Sequence, residues 1–201
     1  TTLSVNILLV VTPNFVVNGY TIIQPGPVYQ LTQALNTQAG SVWNSSLLDL
    51  NFSFDFEVEL FFGCNNGGAD GIAFVLQQIS STIGSSGGGI GYQGISPSFG
   101  VEFDTWRNGA YADPIHDHLA IQRNGDLNHN GINNLFGPIG FPPGNINIED
   151  CNWHDVRFIW DPSINLFIVN FDGVQLVNYT VDIINTCFSG NPNVYWGFTA
   201  A

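Results

Sequence analysis

The chain lacks lysine and methionine and has very few basic residues of any kind. Its 201 residues include three arginines (Arg107, Arg123 and Arg157) and sixteen acidic residues, which gives a formal net charge of −13. A nucleic-acid-binding protein needs a basic surface to neutralise phosphates, and three scattered arginines cannot form one. A polybasic anchor to an anionic membrane surface is excluded for the same reason.

Long hydrophobic runs are also absent. Stretches such as residues 7–11 are far shorter than the roughly 20 apolar residues of a membrane-spanning helix, so we expect no membrane insertion. No basic segment precedes that stretch, so no signal peptide is visible. The composition is nevertheless 44% hydrophobic and only 9% charged, which is sufficient for a large core and excludes disorder. We expect one domain spanning residues 1–201.

Cysteine is scarce as well. Cys64, Cys151 and Cys187 form no CxxC motif, which argues against a zinc ribbon or a thioredoxin-type site. An odd count permits either one disulfide with one free thiol or three thiols, and we favour Cys151–Cys187 as the disulfide. The acidic, lysine-free composition favours a secreted protein.

Apolar and polar residues alternate through most of the chain. From residue 50 to residue 62 every even position is apolar, which predicts a long strand with one face on a core. Glycine-rich and asparagine-rich stretches at 80–98 and 124–148 predict surface loops, and no helix is predicted beyond at most one turn in 29–36. The pattern predicts an antiparallel β-sandwich of jelly-roll type, with further strands at 71–77, 100–105, 119–122, 156–160, 166–171, 174–179 and 194–199.

The residues suited to metal binding lie between positions 102 and 118. Glu102, Asp104 and Trp106 share one face of a predicted strand, with the two carboxylates roughly 7 Å apart. Oxygen ligands suit calcium, whereas a mixed carboxylate and imidazole set suits manganese or another transition ion. Two ions that share Asp104 and Asp113 would use all five candidate side chains, with His116 left open as an alternative to His118. These candidates are Glu102, Asp104, Asn108, Asp113 and His118.

Segment 101–108, together with Asp113 and His118, resembles the metal-binding signature of the legume-type (L-type) lectins. The resemblance extends from about Asn18 to the C-terminus. At residues 41–43 and 96–106 the sequence is most similar to that of the secreted bacterial members. Three other segments resemble, in matching order, an Ala-Asp-Gly-Ile-Ala-Phe strand, a glycine-rich sugar loop and a late strand of that family: 69–74, 87–91 and 194–198.

This resemblance implies a concanavalin-A-like jelly roll and a secreted, non-enzymatic lectin that binds a glycan or polysaccharide with Ca²⁺ and Mn²⁺, or another divalent transition ion. It also implies a cis peptide bond between Ala69 and Asp70. Asp70, Gly88 and Asn108 would hydrogen-bond the sugar while Trp106 covers its apolar face, as carboxylate, amide and aromatic groups are suited to do. The implied transition-metal ligands are Glu102, Asp104, Asp113 and His118, and the implied calcium ligands are Asp104, Asn108, Asp113 and the carbonyl of Trp106.

In this family a further strand follows the segment that matches the end of residues 1–201, so we expect that this final strand is either missing from the protein or lies outside these residues. Family members also pair through sheet edges in several ways. We therefore expect that this chain can form homo-oligomers. The sequence does not indicate which sheet edges would pair.

Three alternatives remain open at this point. A glycoside hydrolase on a related jelly roll would use Glu102 and Asp104, but the third carboxylate of its motif is replaced by Trp106 or Arg107. A structural spacer domain would predict decay of the sugar-binding motifs, which are present. Residues 126–131 copy half of an EF-hand loop, but Gly137 stands where a glutamate is needed, which favours an Asn/Gly-rich turn.

Overall fold

Strands account for nearly all of the regular structure in the computed structural model, which describes residues 14–26, 28–84 and 89–201. In chain order the strands are β1 (Phe15–Gly19), β2 (Ile22–Gln24), β3 (Val28–Gln30), β4 (Gly40–Asn44), β5 (Leu48–Asp49), β6 (Phe54–Phe61), β7 (Gly71–Gln77), β8 (Ser98–Asp104), β9 (His118–Arg123), β10 (Asn134–Gly140), β11 (Trp153–Asp161), β12 (Leu166–Phe171), β13 (Val174–Thr180) and β14 (Asn193–Ala200). A 3₁₀ turn lies at Gly109–Tyr111, and the helix α1 at Ile183–Phe188.

The strands form two packed antiparallel sheets. The larger sheet has the order β1-β4-β14-β7-β8-β9-β10, with the short β5 paired to β14, and the smaller has the order β13-β12-β11-β6. A two-stranded hairpin of β2 and β3 stands apart from both. The predicted all-β antiparallel sandwich is confirmed.

Aromatic side chains fill the space between the two sheets. Phe74 of the larger sheet stacks on Phe158 of the smaller, with ring centroids 4.3 Å apart, and Phe99 meets Phe167 edge to face at 5.0 Å. Each such ring removed from water stabilises the fold by about 1.5–3 kcal/mol. Alternation along β8 turns Phe99, Val101 and Phe103 toward this core, so Glu102 and Asp104 point to the opposite face.

That opposite face of the larger sheet is also covered. A second buried cluster, which contains Trp43, Val75, Tyr92 and Leu127, lies there under the loops that follow β7 and β9. Every residue of β8 is consequently buried. The two carboxylates of β8 therefore lie between a sheet and a loop layer, in a setting that excludes water.

Several sequence predictions need correction. The strand predicted from residue 50 begins only at Phe54, because a turn held by Asp49 intervenes and leaves Phe52 69% exposed. Part of the loop predicted over 124–148 is strand β10, whose Pro138 is tolerated because β10 lies at the edge of the sheet. Helix α1 was not predicted, since six residues are too few to show a helical period.

The preferred disulfide was wrong. Cys64 is bonded to Cys151, and Cys187 is a buried free thiol in α1. Cys64 and Cys151 lie just outside the paired ends of β6 and β11, and the pairing of Phe61 with Trp153 brings them close together.

Helices long and apolar enough to cross a bilayer are not found among the described residues.

Candidate functional site

The register of β8 with β9 assembles the acidic residues at one end of the larger sheet. Asp104 at the end of β8 lies opposite His118 at the start of β9, and Glu102 lies opposite Ala120. Because directly paired residues share a face, the side chains of Glu102, Asp104 and His118 all point into the loop-covered side. Oδ2 of Asp104 is 3.9 Å from Nε2 of His118.

The loop after β8 folds back and brings Asp113 to the same place. Trp106 donates its backbone N–H to Oδ1 of Asp104 at 2.8 Å, and Asn108 donates its N–H to Oδ2 of Asp113. The 3₁₀ turn at Gly109–Tyr111 then reverses the chain. The loop is thereby built around the two carboxylates, while the Trp106 side chain remains 44% exposed.

The sequence analysis missed one member of this cluster, His129. It lies in the loop between β9 and β10, where Asp126 accepts hydrogen bonds from the Asn128 N–H and the Asn133 amide. These contacts make 126–131 an Asn/Gly-rich turn, as the missing EF-hand glutamate indicated. The turn is tied to the 3₁₀ segment because the His129 N–H donates to the Tyr111 carbonyl at 2.9 Å. No sequence pattern signals His129, since its partners belong to other elements.

The imidazole of His129 lies between two carboxylates. Its Nε2 is 3.3 Å from Oε2 of Glu102, with hydrogen-bond geometry. Its Nδ1 is 3.1 Å from Oδ1 of Asp113, yet these two atoms are not aligned as a hydrogen bond. The other oxygen of Glu102 accepts the hydroxyl hydrogen of the buried Tyr92. Both oxygens of Glu102 are thus engaged by protein groups, which no sequence motif indicated.

Three ligand atoms in this cluster have no hydrogen-bond partner among the described residues: Oδ1 of Asp113, Nε2 of His118 and Nδ1 of His129. Their residues are only 7%, 1% and 7% exposed. Leaving a buried polar atom unpaired costs about 1–3 kcal/mol, so native structures rarely do so. Potential ligand atoms of the three residues lie within 4.8 Å of one another, an arrangement that a divalent cation fits.

Electrostatics at the site favour the same interpretation. Burial raises the pKa of Glu102, and burial together with neighbouring carboxylates raises the pKa of Asp104 to about 8. Burial lowers the pKa of His118 to about 4, whereas for His129 the opposing contacts with Asp113 and Glu102 outweigh burial and raise the pKa to about 9. Protons therefore stand in for the positive charge that the carboxylates require, and a cation could replace them.

The residues expected to bind sugar lie beside this cluster. The Ala69–Asp70 peptide bond is cis, as the resemblance implied, and the Asp70 carbonyl accepts the Thr105 N–H at 3.1 Å. Burial raises the pKa of the Asp70 carboxyl, and the nearby Asn108 side chain opposes this shift. Asp70, just before β7, is thus close to Asn108 on the loop after β8, which also carries the exposed Trp106. Gly88 lies outside the described residues.

The structure therefore brings most of the predicted site residues together. Glu102, Asp104, Asp113 and His118 converge, and Asn108 links the cluster to Asp70. The alternative ligand His116 is not a member of the Asp113, His118 and His129 group; its ring lies next to Gly140 instead.

Comparison with a family model matches the legume lectin β-barrel domain over residues 10–201. Among curated proteins, the pesticidal crystal protein Cry22Aa of Bacillus thuringiensis is 40% identical over 79 residues. That match covers 39% of this chain and 11% of that protein.

Solved plant lectins share the fold. The Bauhinia forficata lectin in complex with GalNAc has a TM-score of 0.74 at 18% identity, covering 96% of this chain and 87% of that chain. The basic winged bean lectin with Tn-antigen has a TM-score of 0.72 at 21% identity, with coverages of 93% and 81%. Lectin II from Ulex europaeus has a TM-score of 0.71 at 22% identity, with coverages of 94% and 86%.

Proposed function

This chain belongs to the legume lectin family, and from that premise we propose that it is a secreted, metal-dependent lectin domain that binds a glycan through Asp70, Gly88, Trp106 and Asn108. Carbohydrate binding without enzymatic activity follows from the family itself. The finer claims concern the residues, the ions and the location of the protein.

The observation that carries the proposed sugar site is the proximity of Asp70, just before β7, to Asn108 on the loop after β8, whose backbone N–H donates to Asp113 of the acidic cluster. A carboxylate and an amide side by side supply acceptors and donors for adjacent sugar hydroxyls. The exposed Trp106 offers an aromatic surface for the apolar side of a pyranose. Gly88 completes the proposed set because a glycine N–H can approach a ligand closely.

The proposed cofactors are Ca²⁺ and a transition ion such as Mn²⁺. For calcium we propose the oxygen donors Asp104, Asn108, Asp113 and the Trp106 carbonyl, and for the transition ion Asp104, Asp113 and His118 of the cluster that also contains Glu102. Bound ions would balance the negative charge of the buried carboxylates. They would also hold the 105–117 loop in place. Asn108 is thereby presented to the sugar in a fixed position, which lowers the entropy cost of binding.

The glycoside hydrolase alternative has no support in the geometry. Glu102 is 1% exposed, and its two oxygens contact Tyr92 and His129. A catalytic carboxylate must reach the glycosidic bond, which this one cannot do from beneath the loops.

Two observations support a secreted bacterial lectin. The Cys64–Cys151 disulfide is of a kind that persists in oxidising compartments, and one matching relative is a protein of Bacillus thuringiensis. Homo-oligomers are proposed through the sheet edges, of which β1, β10, β13 and β6 are the end strands. Light scattering of the purified chain over a concentration series tests the oligomer.

Glycan binding of the Asp70→Asn variant tests the proposed sugar site. Glycan-array signals and titration calorimetry should show saturable binding by the wild type, loss of binding in EDTA and recovery with Ca²⁺ and Mn²⁺. The panel should include galactose and GalNAc, which structural neighbours hold, as well as glucose and mannose. Asp70→Asn removes one charge without changing side-chain size, and we expect at least a tenfold loss of affinity.

The matched control is Asp155→Asn, which makes the same chemical change on the exposed surface of β11 in the other sheet. It should bind like the wild type. Binding that ignores EDTA would refute the metal dependence, and an Asp70→Asn protein with wild-type affinity would refute the assigned site.

A further inference from the structure

We propose that His129 is a direct ligand of the transition ion through Nδ1, and that Glu102 positions the His129 ring instead of coordinating the ion itself. This inference rests on the proposed metal dependence and specifies the donor set of that same site. It assigns the ion two imidazoles, from His118 and His129, together with Asp113 and the neighbouring Asp104.

The hydrogen bonds around His129 determine which of its nitrogens faces the ion. Nε2 has an acceptor in Oε2 of Glu102 at 3.3 Å, so this nitrogen keeps its hydrogen when a metal ion displaces the second proton of the ring. The lone pair is then on Nδ1, which is one of the three buried ligand atoms without a hydrogen-bond partner among the described residues. A carboxylate that holds the far nitrogen of a metal-bound histidine is a recurrent arrangement in metal sites.

The two oxygens of Glu102 support its positioning role. One accepts from Tyr92 and the other from His129, and Glu102 does not belong to the group whose ligand atoms converge. That group is Asp113, His118 and His129, with ligand atoms within 4.8 Å. Two bonds of about 2.0–2.1 Å to a shared ion span at most about 4.2 Å, so ligand atoms at the upper end of this range would move slightly closer together around the ion.

The donor set predicts which ion is preferred. Oxygen-rich sets suit Mn²⁺, whereas a second imidazole shifts preference toward Co²⁺, Ni²⁺, Cu²⁺ and Zn²⁺. Most protein sites bind Zn²⁺ and Co²⁺ more tightly than Mn²⁺, so the quantity that tests the second imidazole is the change in this difference when His129 is replaced. His129→Gln should weaken Zn²⁺ binding by about 10- to 100-fold. The ratio of Zn²⁺ affinity to Mn²⁺ affinity should therefore be smaller in this variant than in the wild type.

Counting coordinated imidazoles tests the proposal directly. Pulsed electron paramagnetic resonance on the protein loaded with one equivalent of Cu²⁺ should detect two bound imidazoles in the wild type. His129→Gln and His118→Gln should each leave one, and the control His116→Gln should retain two. A wild-type count of one would overturn the proposal without needing any variant to fold.

Two variants of Glu102 separate positioning from coordination. Glu102→Gln keeps an oxygen that can accept from His129, so it should retain two imidazoles and affinity close to the wild type. Glu102→Ala removes that acceptor and should lose about 10- to 100-fold in affinity. Equal losses in both variants, with both folded by circular dichroism, would indicate direct coordination and overturn this part of the proposal.

The outcomes also separate this inference from the proposed function. A wild-type protein that binds no divalent ion and still binds glycan would remove the metal dependence altogether. A protein that binds one ion with a single imidazole would leave the lectin function intact and refute only the role of His129.

Discussion

Gly71 allows the start of β7 to approach the end of β8 closely. Its φ of +137° is a conformation that residues with a side chain rarely adopt, and a methyl group there would lie 2.3 Å from the Phe103 carbonyl oxygen. Because Gly71 pairs with Asp104, this contact also sets the distance between Asp70 and the cluster of Glu102, Asp104, Asp113 and His118.

Gly71→Ala is therefore expected to lower the free energy of unfolding by roughly 1–3 kcal/mol or more, since the backbone must move as well as adopt a strained conformation. Urea unfolding at equilibrium measures this. Gly67→Ala is the matched control, because its added methyl group meets only an ordinary contact at 3.5 Å. Equal stability of the two variants would contradict the prediction.

Glu149 is a buried carboxyl outside the metal cluster. It is 4% exposed, and its Oε2 has no hydrogen-bond partner among the residues that the structure describes. Burial, with Asp117 nearby, raises its pKa from 4.5 to about 7. The Glu149 carboxyl therefore stays protonated up to a higher pH in the folded protein than in the unfolded chain.

The sign of the pH effect follows from this difference. A carboxyl with a raised pKa in the folded state destabilises the protein as pH rises from about 4.5 through about 7. Glu149→Gln keeps the neutral shape and should be more stable than the wild type at pH 8, by roughly 1–3 kcal/mol, with little difference at pH 4.5. Urea unfolding at the two pH values measures it, and Glu59→Gln on the exposed face of β6 should show no such change.

At the scale of elements, the disulfide joins the end of β6 to the approach to β11. Cys64 and Cys151 are separated by 87 residues, and the Cys151 N–H also donates to the Gly63 carbonyl at 2.9 Å. A covalent link across so long a segment restricts the unfolded chain. It also anchors the loop that leads from β6 to Asp70.

The double variant Cys64→Ala, Cys151→Ala should therefore unfold with about 2–5 kcal/mol less stability than the oxidised wild type. Thermal and urea unfolding with and without dithiothreitol measure this. Reductant should destabilise the wild type and leave the double variant unchanged, since Cys187 is a buried thiol with a pKa raised by burial to about 12. A reductant effect of equal size in both proteins would contradict the prediction.

At the scale of the whole molecule, the larger sheet is covered on both faces. Aromatic packing between the sheets fixes one face, and loops over the second cluster cover the other. The acidic site lies within this loop layer, where the raised pKa values of Glu102 and Asp104 report a cost of burying negative charge. A bound cation should offset that cost and so stabilise the fold as a whole.

Metal removal should accordingly lower the melting temperature. An ion present at 100 times its dissociation constant adds about 2.7 kcal/mol to the free energy of unfolding, and EDTA should remove this increment. Differential scanning calorimetry with increasing Ca²⁺ and Mn²⁺ measures it. The Asp104→Ala variant should have a lower melting temperature than the wild type, and neither ion should raise it much. In the exposed-site control Asp155→Ala, the ions should raise the melting temperature as they do in the wild type.

Local patterns in the sequence predicted a large part of the fold. Alternating apolar residues located the strands from β6 to β14 because half-buried strands must repeat with a period of two. The exceptions have local causes: the turn at Asp49 displaced the start of β6, and Pro138 concealed the edge strand β10. Helix α1 and the short strands before β6 are too brief to show a period.

By itself the sequence determined the antiparallel sandwich and the convergence of Glu102, Asp104, Asp113 and His118, since strand alternation and a short loop already bring these residues near one another. Only the tertiary structure placed His129 against Glu102 and Asp113, and only it paired Cys64 with Cys151. Both contacts join segments far apart in the chain. Their partners are chosen by the register of β6 with β11 and by the packing of a loop over the sheet, which are properties of the assembled sandwich.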